Sequence, residues 1–354
     1  MKKFFLRFIL ICSTTLIFLS CSASQQNIPI QTADQNIQLY DYKYDSHFPL
    51  KPVDKDLERI LETIKLISNL AFYESYEFDF SSRISIENIR QDNYKEKAAR
   101  EILFERPASG TATVIFQEGR KVALITCDHI VSSPDTIITY FEDDLGIRTS
   151  IIKNAAFKTK ESNNIIFLPG QEEVSVVARD TQNDLALIFV KLDEIPKFNL
   201  PVFDFKIGNA EELTWGTFVY IIGYPYGKKL VSSALVSSPN RDRKHSFIID
   251  ATMHRGISGG IILALRDGPP NFELVGLANA ISGERELVLR PDPSIDERDF
   301  QFSEPYKGQI YIDKQIKINY GITFAVSIET IREFLTNNKK KITSEGLFLN
   351  NFFE

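Results

Sequence analysis

The sequence predicts a mainly β protein, an antiparallel sandwich or barrel with an N-terminal helical extension and a C-terminal helix. From Gly110 to Val326 the chain alternates short apolar, β-branched runs with turn residues, a pattern typical of antiparallel sheets. From Asp54 to about Phe72, apolar residues recur at helical spacing. Ser327 is a typical N-cap, and the apolar residues after it keep helical spacing.

The composition is that of an ordinary folded protein. The chain has 354 residues, of which 43% are hydrophobic and 25% charged, and this length allows one large or two modest domains. Its formal net charge of -6 argues against a nucleic-acid partner, because proteins that bind nucleic acids carry basic surfaces. Three cysteines are too few for a disulfide scaffold.

The first residues have the pattern of an export signal. Lys2, Lys3 and Arg7 precede an apolar stretch that is shorter than a membrane-spanning helix. The sequence Leu19-Ser20-Cys21 at its end resembles the lipobox of bacterial lipoproteins. This resemblance implies cleavage after residue 20 and lipidation of Cys21, whereas the alternative is an ordinary cleaved signal with an incidental cysteine. We therefore expect export and a lipid anchor on a bacterial membrane, with the outer membrane favoured, facing the periplasm or the cell exterior.

The patterns divide the chain into five parts. They are a signal peptide (1–20), a polar tether (21–53), an N-terminal helical extension (54–104), a main β-rich domain (105–337) and a C-terminal tail without a usable motif (338–354). Within the extension, a second and weaker helical stretch runs from about Ile86 to Leu103. Within the main domain, residues 282–308 are charged and contain Pro, which predicts a surface insertion loop.

Three motifs carry residues with chemical potential, and each lies at the end of a predicted strand. In chain order they are Thr126-Cys127-Asp128-His129, Asn183-Asp184-Leu185 and Gly256-Ile257-Ser258-Gly259-Gly260. Each is a limited signal alone, because aspartates and glycine-flanked serines also occur in ordinary turns. The order His, Asp, Ser at strand ends is more specific, since chymotrypsin-type active sites have this order.

These residue types fit nucleophilic catalysis. The hydroxyl of Ser258 is a poor nucleophile at neutral pH and needs a base within hydrogen-bond reach, a role suited to His129. A carboxylate on the other ring nitrogen, here from Asp184, would orient the imidazole and stabilise its positive charge. The backbone N–H groups of Gly256 and Ser258 would form an oxyanion hole for the attacked carbonyl.

Several ordered segments resemble the trypsin-like peptidase domain in its bacterial HtrA-like form. They are Ser109-Gly110-Thr111-Ala112, Thr126-Cys127-Asp128-His129, Asn183-Asp184-Leu185-Ala186-Leu187, Ile222-Gly223-Tyr224-Pro225-Tyr226-Gly227, Gly256-Ile257-Ser258-Gly259-Gly260 and Gly321-Ile322-Thr323-Phe324-Ala325-Val326. The resemblance implies two perpendicular six-stranded antiparallel β-barrels, with the triad in the cleft between them. It implies a serine endopeptidase that acts on protein or peptide substrates through an acyl-enzyme on Ser258.

The sequence also departs from that family's pattern. Ile257 replaces the usual Asp or Asn, so we expect no activation through an ion pair with a freed N-terminus. Thr252 stands at the base of the family's specificity pocket, which favours a small or mid-sized apolar residue over Lys or Arg. Because only a short tail follows the last predicted helix, we expect no PDZ domain.

We expect neither a cofactor nor a metal. The neighbouring side chains of Cys127, Asp128 and His129 cannot converge well on one ion, and the sequence has no second cluster of ligands. Cys127 has the character of a small buried hydrophobe.

Two other functions stay open. The first is a catalytically silent trypsin-like fold that acts as a binding or adhesion module, which the departure at Ile257 and the charged 282–308 segment favour. The second is a β-sandwich lipoprotein without triad geometry. The sequence makes no prediction of the oligomeric state.

Overall fold

The computed structural model describes residues 41–353, except 144–145, 167, 169, 240–245, 252–253, 292–302 and 304. The predicted signal peptide, Cys21 and most of the tether therefore lie outside the described residues.

The described chain is mainly β, as predicted, with a few short helices. The strands are β1 (Ile64–Glu77), β2 (Arg100–Glu118), β3 (Lys121–Thr126), β4 (Thr136–Glu142), β5 (Arg148–Ile166), β6 (Gln171–Asp180), β7 (Leu185–Leu192), β8 (Lys206–Ile207), β9 (Phe218–Gly223), β10 (Leu230–Ser238), β11 (Ser246–Ile249), β12 (Ile261–Leu265), β13 (Phe272–Pro291) and β14 (Ile310–Ser327). The α-helices are α1 (Asp54–Thr63), α2 (Ile86–Arg90), α3 (Asp128–Val131), α4 (Ile328–Asn337), α5 (Lys339–Ser344) and α6 (Asn350–Phe353).

The strands form two sheets of seven strands each. The first is an open half-barrel with the strand order β4-β5-β1-β2-β3-β7-β6. The second has the order β12-β9-β10-β11-β14-β13-β8, and an additional pairing of β12 with β13 closes six of its strands into a barrel. The first sheet thus differs from the six-stranded closed barrel that the family resemblance implies. One apolar cluster contains residues from both sheets, including Ile125 and Leu187 of the first and Ile221 and Leu263 of the second.

The predicted N-terminal helical extension is correct at its start and wrong in its extent. Helix α1 begins at Asp54 but ends at Thr63, and the next residues form β1, which pairs with β2 and β5. The second predicted helix ends at Arg90. Five of the 14 residues of β1 are Ile, Phe or Tyr, which favour strands, and tertiary pairing overrides the helical spacing of its apolar residues.

Residues 282–308 are also more ordered than a surface loop. Strand β13 continues to Pro291, where it pairs with Ile310 at the start of β14, so the described part of this segment is mainly an extended hairpin. This pairing gives hydrogen-bond partners to backbone N–H and C=O groups that would bond to water in a surface loop. Residues 292–302 and 304, between the two strands, lie outside the description.

The C-terminal helix is confirmed. Ser327 accepts a hydrogen bond from the N–H of Thr330 and caps α4, whose Ile328, Ile331 and Leu335 are buried. The tail after α4 folds back onto the protein as α5 and α6. Among the residues that the structure describes, no helix combines the length and the apolar character that a membrane crossing requires.

Candidate active site

His129 lies just after β3, in the single turn of α3. The neighbouring carboxylate of Asp128 is buried and bonded to the guanidinium of Arg179 and, at 3.0 Å, to the hydroxyl of Thr181. These contacts compensate the charge of Asp128 and fix the turn to the β6–β7 connection. The imidazole of His129 is half-exposed.

Asp184 binds His129 at two points. One carboxylate oxygen lies 2.6 Å from Nδ1 of the imidazole, and the other accepts the backbone N–H of His129 at 2.8 Å. An ionised carboxylate at Nδ1 favours the tautomer with the proton on that nitrogen, which leaves Nε2 as a base. Asp184 has a φ of 55°, a left-handed conformation that Asp tolerates better than most residues, and this turn aims its carboxylate at α3.

Ser258 lies in the turn before β12, in the same cleft as His129 and Asp184. The cleft has a volume of about 730 Å³, and Arg255, Gly256 and Asn279 also line it. The Ser258 hydroxyl donates a hydrogen bond to the carbonyl of Asn279 at 3.0 Å. Within the described part of the chain, no hydrogen bond joins Ser258 to His129. The structure thus brings the three predicted side chains to one cleft, with the hydroxyl turned to a backbone acceptor.

The turn before Ser258 leaves two backbone donors free. Gly256 has a φ of 99°, and a Cβ there would lie 2.3 Å from the carbonyl oxygen of Tyr224, so only glycine fits. The carbonyl of Arg255 accepts the N–H of Tyr226 at 2.8 Å. Because N–H and C=O point in opposite directions across a trans peptide, this bond directs the N–H of Gly256 away from Tyr226. Among the described residues, the N–H groups of Gly256 and Ser258 have no acceptor.

Thr111, which the sequence reasoning missed as a site residue, connects the first sheet to this turn. Its buried hydroxyl donates to the carbonyl of Gly256 at 2.8 Å and accepts the N–H of Tyr224 at 2.9 Å. Its backbone N–H donates to the carbonyl of Ser258 at 2.8 Å. Thr111 is one of several polar residues in β2, so the sequence does not distinguish it, and the same holds for Asn279 and Arg179.

Cys127 contributes its side chain to the core beneath the site. It is fully buried, and its thiol lies 3.5 Å from the carbonyl oxygen of Ala278. Burial, together with the charge of Asp184, raises the pKa of this thiol well above its ordinary value. The potential ligand atoms of Cys127, His129 and Asp184 lie within 4.8 Å of one another. The acidic side chain close to Cys127 and His129 is therefore that of Asp184 and not that of the adjacent Asp128. A thiol with a raised pKa is a poor metal ligand, because metals bind the thiolate. Thr252, the predicted base of the specificity pocket, lies outside the described residues.

The part of the chain that holds these residues is similar to known proteins. Residues 110–277 match the trypsin-like peptidase domain family. A probable periplasmic serine endoprotease, DegP-like, of Buchnera aphidicola (subsp. Baizongia pistaciae) is 31% identical over 118 residues, which are 31% of this chain and 23% of that protein. A protein of the same description in Halomonas elongata is 25% identical over 183 residues, 50% of this chain and 30% of that protein. The chain thus matches less than a third of the length of either relative.

A crystal structure of the serine endoprotease from Yersinia pestis has a TM-score of 0.39 and 16% identity, over 83% of this chain and 68% of that one. The family match covers a smaller part of the chain than this structural similarity does. It contains His129, Asp184 and Ser258 as well as the turn that carries Gly256. In residues 110–277, a segment that holds all three candidate side chains, the chain is therefore similar to the trypsin-like peptidase domain family.

Proposed function

We propose that this protein is a membrane-tethered serine endopeptidase that hydrolyses peptide bonds through an acyl-enzyme on Ser258. The observation that carries the proposal is the bonded His129–Asp184 pair in one cleft with Ser258 and two free backbone donors. A serine of a trypsin-like domain has, in this cleft, the base and the anion-binding groups that acyl transfer needs.

The proposed reaction uses these groups in both half-reactions, acylation and deacylation. Rotation about the Cα–Cβ bond of Ser258 would release Oγ from Asn279 and turn it towards Nε2 of His129. As Oγ attacks the substrate carbonyl, Nε2 takes the hydroxyl proton, and the negative oxygen binds the N–H groups of Gly256 and Ser258. Nε2 then gives the proton to the leaving amine, and water hydrolyses the ester by the same steps. Asp184 holds the imidazole and stabilises its positive charge. Thr252 would shape the pocket for a small or mid-sized apolar residue.

A fluorophosphonate probe and a quenched casein substrate test the proposal. We expect the probe to label Ser258, and we expect Ser258→Ala to lose labelling and at least about 10³-fold in hydrolysis. Ser344→Ala, which changes an exposed hydroxyl on α5, is the control and should match the wild type. Folded wild-type protein that takes up no probe and cleaves no substrate would contradict the proposal.

A catalytically silent binding or adhesion module is the second candidate. The hydrogen bond from Ser258 to Asn279, in place of one to His129, favours it. Absence of probe labelling in folded wild-type protein, together with a cellular phenotype that Ser258→Ala leaves unchanged, would support this module.

The tether is the part of the proposal that rests on the N-terminal pattern. Cys21 would carry the lipid, with the domain exported and facing the periplasm or the cell exterior, the outer membrane being favoured. The DegP-like relatives from Buchnera aphidicola and Halomonas elongata are described as probable periplasmic proteins. We expect labelled palmitate to enter the wild type and Cys127→Ala, which keeps Cys21, but not Cys21→Ala. Equal incorporation in the wild type and Cys21→Ala would refute the anchor.

A further inference from the structure

Among the residues that the structure describes, the cleft has one guanidinium without a carboxylate partner, close to the proposed oxyanion donors. Arg255 is exposed, lines the cleft and directly precedes Gly256, one of the two proposed oxyanion donors. No carboxylate among the described residues forms an ion pair with its guanidinium. Asp184, the single carboxylate among the described residues that line this cleft, is already bonded to His129.

The backbone that carries Arg255 is fixed on both sides. Its own carbonyl accepts the N–H of Tyr226, and the carbonyl of His254 accepts the N–H of Ile257 at 3.3 Å. The ring of His254 lies 4.8 Å from the ring of Tyr226, and its Nδ1 lies 3.0 Å from the Tyr226 hydroxyl. The guanidinium therefore projects from an anchored position, and little backbone freedom is lost when it binds a substrate.

The sign of this charge is opposite to that of the whole protein. With a formal net charge of -6, the protein as a whole repels acidic peptides, whereas the positive charge of Arg255 would attract them locally at the cleft. Guanidinium groups bind carboxylates through two parallel hydrogen bonds, which makes them selective for Asp and Glu side chains.

We propose that Arg255 selects peptide substrates that have Asp or Glu within two residues of the scissile bond. The inference rests on the proposed endopeptidase function and names the substrate class of the same cleft. This preference is compatible with the predicted pocket at Thr252. A small apolar residue of the substrate would enter that pocket, and the acidic side chain would belong to a neighbouring residue of the same substrate.

Two quenched peptides that differ by one Glu-to-Gln change beside the scissile bond test the preference. For a partly exposed ion pair we expect the wild type to cleave the Glu peptide with about 3- to 10-fold higher kcat/KM than the Gln peptide, and to lose this ratio at high salt. Arg255→Gln should bring the ratio to about one, and Arg255→Glu should invert it, as expected when the ion pair is replaced by like-charge repulsion. Arg90→Gln, on the outer helix α2, is the matched control and should keep the wild-type ratio.

Binding of the same peptides to Ser258→Ala protein, measured by fluorescence anisotropy, separates this proposal from the catalytic one. Tighter binding of the Glu peptide that disappears with Arg255→Gln supports recognition even if no variant hydrolyses peptides. Hydrolysis that depends on Ser258 but has no preference for the Glu peptide would overturn the role of Arg255 and leave the endopeptidase function standing. Equal binding of both peptides to Ser258→Ala, together with no hydrolysis by folded wild-type protein, would overturn both.

Discussion

The hydroxyl of Thr111 determines how the two sheets meet at the candidate site. It bonds the carbonyl of Gly256 and the N–H of Tyr224, so one buried side chain fixes both segments that flank the proposed oxyanion hole. Thr111 does not line the cleft described above, and it would act by positioning the turn that precedes Ser258.

Replacement of Thr111 by Val should therefore impair both stability and activity. Val keeps the shape but leaves two buried polar groups unpaired, which should cost about 2 kcal/mol of unfolding free energy. We expect kcat to fall by about tenfold or more with a smaller change in KM, because a displaced donor acts mainly on the transition state. Urea unfolding and steady-state kinetics measure the two effects.

Thr111→Ser is the matched control, because it keeps the hydroxyl and removes only a methyl group. It should recover most of kcat. Equal losses in the Val and Ser variants would show that packing of the methyl group, rather than the hydrogen bonds, is responsible.

At the scale of elements, a buried carboxylate joins β13 to β8 and to the segment before α1. Glu273 accepts hydrogen bonds from Lys206 at 2.6 Å, from the Tyr44 hydroxyl at 2.7 Å and from Arg266 at 3.1 Å. Burial alone would raise its pKa, but these hydrogen bonds and the charge of Arg266 outweigh burial and lower the pKa below its ordinary value of 4.5.

The stability of the second barrel should consequently depend on Glu273 in a defined pH range. A carboxyl whose pKa is lower in the folded state stabilises the fold fully above its unfolded pKa and loses this contribution as the pH falls through the folded value. We expect Glu273→Gln to lower the unfolding free energy by about 2 kcal/mol at pH 7 and the difference from wild type to shrink below about pH 4.5. Urea titrations between pH 7 and pH 3 measure it, and a difference that is constant with pH would contradict the assignment.

The elements also show what local sequence can predict. The runs that became β3, β7, β9 and β12 were recognisable because both of their faces are buried and their apolar residues are continuous. The residues that became β1 were misassigned, since their periodicity is compatible with a helix and only pairing with β2 and β5 decides between the two.

The same contrast holds at the candidate site. That His129, Asp184 and Ser258 share one cleft could be predicted, because their residue types and order are typical of one chemistry. The contributions of Thr111 and Asn279 could not, because they depend on contacts between residues that are distant in the chain.

At the scale of the whole molecule, the C-terminal tail extends the core that the two sheets share. Ile342, Leu347, Leu349 and Phe352 are buried in the cluster that contains residues of both sheets. The ammonium group of Lys121, at the start of β3, donates to the carbonyl of Glu345 at 2.7 Å. The segment without a usable sequence motif is thus an integral part of the fold.

A matched pair of phenylalanines near the end of the chain tests this role. Phe352 is 2% exposed and Phe348 is 56% exposed, so the two residues share chemistry and differ in burial. We expect Phe352→Ala to lower the unfolding free energy by about 3 kcal/mol, because it removes a buried ring and leaves a cavity. Phe348→Ala should stay within about 0.5 kcal/mol of the wild type, as surface substitutions do.

Because the cluster spans both sheets, the Phe352 variant should unfold in a single transition that tryptophan fluorescence and far-ultraviolet circular dichroism report at the same urea concentration. Similar losses in the two variants, or transitions that separate by probe, would mean that the tail packs on the surface without joining the shared core.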